Sequence, residues 1–151
     1  MRMKWHLVAA ALSVLAGPVL ADWAHRQGNG VAVAQYDAGR YTVMMRCSRG
    51  QGIELSLMDE ELRGNEFRGV GSLMVWVTLP DGRTDRWPVT PVYQEGPALS
   101  GMLVVSDFNL EFFRNGSSFE IDSPQTRTTF AKGNLRGSGA ARLAILEQCG
   151  I

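Results

Sequence analysis

Tyr41-Thr42-Val43-Met44-Met45-Arg46-Cys47-Ser48, then Arg49-Gly50-Gln51-Gly52, then Ile53-Glu54-Leu55-Ser56-Leu57-Met58, is the stretch on which the fold turns. Tyr41, Val43, Met45 and Cys47 share one parity, with Thr42, Met44, Arg46 and Ser48 on the other. Side chains alternate across a strand, so this is strand periodicity. The glycine-bearing tetrapeptide supplies turn residues, and Ile53, Leu55 and Leu57 resume the alternation. The whole reads as a β-hairpin with one apolar face.

Downstream, residues 59–68 are polar and acidic and predict a loop, with Asp59, Glu60 and Glu61 in a solvated bend. Leu73, Val75, Val77 and Leu79 then alternate as a strand. Pro80-Asp81-Gly82 turns the chain, because proline presets φ and glycine accepts a positive value. The returning segment starts near Arg83, with Trp87 and Val89 on one side and Tyr93 as a further candidate for that side. Pro88 and Pro91 cannot donate to a ladder, which predicts an edge or broken strand. Further strands are expected over 102–105, around Phe119 and Ile121 (alternating with Glu120 and Asp122), and over 126–130.

Two segments carry helix signals. Ser106 and Asp107 can cap a short helix bearing Leu110 and Phe113 that ends at Asn115-Gly116. The same residues admit a strand through Phe108, Leu110 and Phe112, and the helix is the favoured alternative. At the C-terminus, Ser138 is placed to cap a helix from about Gly139 to Cys149, with Ala140, Leu143, Ala144 and Leu146 as its apolar stripe.

At the other end, Arg2 and Lys4 precede an apolar run from Leu7 to Leu15, Gly17-Pro18 breaks it, and Val19-Leu20-Ala21 offers a cleavage site before Asp22. These features define a secretory leader over residues 1–21 and a mature domain over 22–151. The run falls short of the roughly 20 residues that span a bilayer, so no membrane span is expected after cleavage. The expected location is periplasmic or secreted.

Export bears on the cysteines. The chain has two, Cys47 and Cys149, and an oxidising compartment favours one intramolecular disulfide between them. They are far apart in sequence, unlike the Cys-x-x-Cys spacing of redox-active pairs. The fold class expected is therefore mainly β (α+β), an antiparallel, sandwich-like sheet with a C-terminal helix stapled to it by one disulfide.

Composition narrows function. Loss of Arg2 and Lys4 lowers the basic count from 15 to 13 against 15 acidic residues, a mature net charge of −2, and leaves Lys132 as the one lysine. Nucleic-acid binding needs clustered Lys and Arg to displace counterions, so none is expected. The scattered arginines read as solvated surface.

His25 is the one histidine of the mature chain and lies near its start, where chains order poorly; a nucleophile triad built on it is not expected. One histidine and two paired cysteines leave no zinc set, and 59–61 lack the spacing of a calcium loop. Glu54, Glu111, Glu120 and Asp122 are available for a carboxylate pair but read as solvent-facing. Gly50-Gln51-Gly52 reads as a hairpin turn, and Asn115-Gly116-Ser117 matches the N-glycosylation sequon. Trp23, Trp76 and Trp87 are candidates for a ligand groove, although aromatics on alternating strands usually build core. No catalytic residue, metal or cofactor is assigned.

One resemblance rests on Phe130, Leu135, Gly137-Ser138, Ala140-Ala141, Leu143, Leu146 and Cys149, together with Tyr41-Thr42-Val43-Met44-Met45-Arg46-Cys47. These segments resemble small bacterial periplasmic proteins of the invasion-associated locus B and type VI secretion-associated kinds. The resemblance implies a β-rich envelope protein with a strand-to-helix disulfide and no catalytic residues to carry over. Three functional expectations follow: a non-enzymatic envelope accessory protein acting on an unidentified envelope partner, a small glycan-binding or glycan-hydrolysing module, and a proteinaceous inhibitor of a hydrolase.

Overall fold

Alternation of apolar and polar residues governs almost every strand in the computed structural model, which describes residues 23–151; the expected leader 1–21 lies outside them. Nine strands occur in chain order as β1 (Trp23–Gly28), β2 (Val31–Asp37), β3 (Tyr41–Ser48), β4 (Gly52–Asp59), β5 (Leu73–Thr78), β6 (Thr84–Glu95), β7 (Ala98–Leu103), β8 (Ser118–Ser123) and β9 (Thr128–Asn134). The helices are α1 (Leu110–Asn115) and α2 (Gly139–Cys149), with 3₁₀ turns at Asn65–Phe67 and Asp107–Asn109. All strands form one antiparallel sheet in the order β1-β2-β3-β4-β7-β6-β5-β8-β9.

The sheet curls so that its two ends face each other across the core. Trp23, Tyr36 and Phe119 meet with ring centroids 5.1–5.7 Å apart, and Tyr41, Phe67 and Phe130 with centroids 5.4–5.8 Å apart. Each cluster joins β1–β3 to β8 or β9, and the contacts of Phe119 and Phe130 are edge-to-face, which suits the ring quadrupoles. Trp23 Nε1 also donates to the Asn134 carbonyl at 3.1 Å. Gly133 admits the closest approach, since a Cβ there would lie 2.2 Å from the Tyr36 hydroxyl.

The decisive hairpin is present: β3 pairs with β4 from Tyr41↔Asp59 to Ser48↔Gly52, and Tyr41, Val43, Cys47, Ile53, Leu55 and Leu57 are buried. Cys47 is bonded to Cys149, their Cα atoms 5.6 Å apart, so the last turn of α2 is tied to β3. α2 lies against β1, β2 and β3, and Ala32 and Ala34 of β2 and Ala141, Ala144 and Ile145 of α2 are all buried in the core. Small side chains on both sides let helix and sheet approach closely. The domain is thus mostly antiparallel β with a C-terminal helix stapled to the sheet.

Several expectations are corrected. β6 is internal, flanked by β5 and β7, not an edge; of the two alternatives expected, it takes the broken one. Pro91 is tolerated because the β5 ladder ends at Leu73↔Val89 and the β7 register shifts between Val89 and Val92, placing it in the irregularity, whereas Pro88 lies within the β5 ladder opposite Met74. The same shift turns Tyr93 outward, where it is 65% exposed. The strand expected over 102–105 is β7, which begins at Ala98 and stops at Leu103. Gly101 belongs inside it because a Cβ there would meet the Pro91 carbonyl and Val89 at 2.8 Å. The strand expected over 126–130 is β9, displaced by the turn at Arg127, which has positive φ.

The 106–115 segment takes the helical alternative, with Ser106 and Asn109 forming a capping box. α2 has its expected bounds, but Ser138 does not cap it; the hydroxyl donates to the Leu135 carbonyl at 2.7 Å. The buried face of α2 is Ala141, Ala144, Ile145 and Leu146, while Ala140 and Leu143 face solvent. β1 and β2 add a hairpin to the strands expected from the sequence, joined at Asn29-Gly30. Both residues have positive φ, 51° and 76°, as a two-residue turn between twisted strands requires.

Candidate functional site

Pairing of β5 with both β6 and β8 brings distant residues onto one outward-facing patch. One row across four strands is Arg86, Trp76, Glu120 and Lys132, as set by Trp76↔Arg86, Trp76↔Glu120 and Glu120↔Lys132. A parallel row holds Thr84, Thr78 and Ser118. Asp122 follows Glu120 by two positions on β8, hence on the same face. Together Trp76, Thr78, Thr84, Ser118, Glu120, Asp122 and Lys132 line an open groove of about 590 Å³.

The groove is held in shape by its own hydrogen bonds. Trp76 Nε1 donates to Asp122 Oδ2 at 3.1 Å, fixing the indole, while Asp122 Oδ1 is buried without a partner. Thr129 Oγ1 donates to Glu120 Oε1 at 3.0 Å, and the Thr78 and Thr84 hydroxyls pair at 3.0 Å. Trp76 is only partly buried, so part of a fixed indole lines the groove. Of the three tryptophans considered for a groove, Trp23 and Trp87 are instead core, 6% and 3% exposed. Of the four carboxylates, Glu120 and Asp122 come together here, whereas Glu54 lies 4.0 Å from Arg46 and Glu111 pairs with Arg83 at 2.9 Å.

A second polar cluster overturns the solvated-bend reading at Asp59, while Glu60 and Glu61 are exposed in the turn as expected. Asp59 is wholly buried and accepts from Arg40 Nε and Nη2 at 3.2 and 3.1 Å and from the Gly64 and Glu61 amides at 2.8 and 3.1 Å. Arg40 Nη2 also donates to Glu66 Oε2 at 2.6 Å. Arg40 holds the Asp59 and Glu66 carboxyls below the usual range, for Asp59 against an opposing desolvation that the backbone donors help offset. This network anchors the β4–β5 connection, so Arg40 is not ordinary solvated surface. Sequence offered no cue to it, because Arg40 and Asp59 meet only through the β3–β4 register.

Inside the curl, Trp87, Phe113, Val77, Leu135 and neighbouring residues line a cavity of about 40 Å³. Arg142 of α2 borders it; Nη1 donates to the Phe113 and Gly116 carbonyls at 3.1 and 3.3 Å, and Nε is buried without a partner. Burial lowers its pKa. The arginine thereby ties α2 to the end of α1.

His25 sits on β1 opposite Ala34, in an ordered ladder rather than a loose terminus. Gly50 and Gly52 both adopt positive φ in the β3–β4 turn, as the hairpin reading requires. Asn115-Gly116-Ser117 spans the end of α1 and the approach to β8. Among the described residues no three His, Cys, Asp or Glu side chains gather as a metal site, and no helix is long and apolar enough to cross a membrane. No protein-family model, curated protein or solved structure matches this chain.

Proposed function

We propose that this chain is an exported envelope protein that acts by binding rather than by catalysis, with the outer face of β5, β8 and β9 as its contact surface. The observation that carries the reading is the Trp76 groove. A partly exposed indole is pinned by Asp122 and ringed by hydroxyls and charged groups, with β5 and β8 paired on both sides. Recognition sites of this kind combine one rigid aromatic with a few placed polar groups. The leader-like residues 1–21 and the Cys47–Cys149 bond support export. The likeness of 130–149 to periplasmic accessory proteins fits the same picture.

A photo-crosslinking residue at Thr84, on the groove's rim, tests this in envelope extracts of an expressing cell. Capture of a specific envelope component that is lost in Trp76→Ala is the expected result. The reading fails if gentle crosslinking recovers no specific component. Amino-terminal sequencing of the exported product should begin at Asp22; retention of residues 1–21 in the mature product would refute the leader.

A further inference from the structure

We infer that the ligand of the Trp76 groove is a neutral oligosaccharide, one of whose pyranose rings stacks on the Trp76 indole. This inference rests on the outer face being the contact surface and adds the class of ligand. The chemistry comes from three features of the groove.

The first is the ring itself. Trp76 lies in the middle of the Arg86-Trp76-Glu120-Lys132 row, partly exposed, and its Nε1 proton is already committed to Asp122. The indole therefore presents an apolar surface held in one orientation when a ligand arrives, so little side-chain entropy is lost on binding. Asp122 Oδ1 is buried and unpartnered beneath this arrangement. An orphaned carboxylate oxygen is unfavourable for stability, and such costs are typically tolerated where they position a functional group.

The second is the surround. Thr78, Thr84 and Ser118 supply hydroxyls on one side, Glu120 an acceptor and Lys132 a donor on the other. Glu120 and Lys132 are directly opposite on the ladder, yet Lys132 makes no ion pair with any described residue. Its three N–H donors and the second Glu120 oxygen are open to a ligand that both donates and accepts, as sugar hydroxyls do. A protein partner would instead be expected to meet a cluster of apolar and aromatic anchors, which this groove, with one indole among polar groups, does not provide.

The third is charge and size. Glu120 and Asp122 are balanced by Lys132 and by Arg86 beside Trp76 on the same row, so the patch has no surplus positive charge with which to select phosphates or uronic acids over a neutral ligand. At about 590 Å³ it lies within the range of small-ligand sites.

The test uses the mature protein and three probes: chitotetraose, cellotetraose and a tetramer of galacturonic acid, titrated by calorimetry and followed by the indole N–H resonances in NMR. At least one neutral tetraose should bind with a Kd of roughly 0.1–1 mM, shifting the Trp76 indole signal and leaving those of Trp23 and Trp87 nearly unmoved. Trp76→Ala should weaken binding roughly tenfold or more and Lys132→Ala by a few fold, while Trp76→Phe, which retains a ring, should keep both the fold and part of the affinity. Circular dichroism confirms that each variant is folded. The inference is overturned if neither neutral tetraose binds at about 10 mM, if folded Trp76→Ala binds as well as wild type, or if the anionic tetramer binds best. Loss of sugar binding alongside Thr84 crosslinking to an envelope protein would sink the glycan and leave the contact surface standing.

Discussion

Asp59 illustrates how a single residue can reverse its sequence reading. Three successive acids at 59–61 look like solvent-exposed charge, yet the first is fully buried on Arg40 and two backbone amides. Both Asp59 and Glu66 have folded pKa values below their unfolded ones. Their stabilisation is therefore full above the unfolded range near pH 4 and is lost as the pH falls from there toward the folded values. Asp59→Asn should lower the melting temperature at pH 7 by several degrees and flatten its decline below about pH 4, checked by thermal scans from pH 7 to 2. An unchanged acid limb would remove the network from the account. Gly133 makes a different demand, for space. Gly133→Ala forces a methyl into the Tyr36 ring and should cost about 1–3 kcal/mol in urea unfolding. Neither residue was legible beforehand, because each depends on a neighbour brought close only by the fold.

At the level of elements, period-2 alternation located β3, β4, β5 and β8 because each has one face in the core. It failed where the backbone is irregular or the side chains small. β2 reads Val-Ala-Val-Ala, and its alanines are buried under α2 rather than weakly apolar by accident. β6 changes phase at its bulge, so Tyr93 points out although it follows the parity of Trp87 and Val89. α2 kept its limits and buries Ala144 and Leu146 of the expected stripe, but Ile145 is fully buried where Leu143, 61% exposed, was expected. Ile145→Ala should cost about 2–5 kcal/mol by cavity formation. Leu143→Ala should stay within about 0.5 kcal/mol. Chemical denaturation of the pair decides the phase, and equal losses would restore the stripe expected from sequence.

For the whole molecule, one bond and two aromatic clusters close the architecture. Cys47 and Cys149 are 102 residues apart, and in the chain-entropy model closing a loop of about that length contributes roughly 4.7 kcal/mol. Reduction, or Cys47→Ser, should lower the urea midpoint accordingly, while any effect on binding should follow the fraction folded and no more. A variant that stays folded but loses binding would show that the disulfide has a role beyond stability. What the sequence determined by itself was local or forced: strand periodicity, the turns at 49–52 and 80–82, the limits of α2, and the pairing of the two cysteines. Tertiary structure alone decided the order β4-β7-β6-β5-β8, and with it the meeting of Trp76 with Glu120, Asp122 and Lys132 from β8 and β9. The physical reason is that alternation states which side of a strand a residue faces, whereas the neighbour it faces there is set by long-range pairing and by burial of the whole apolar surface at once.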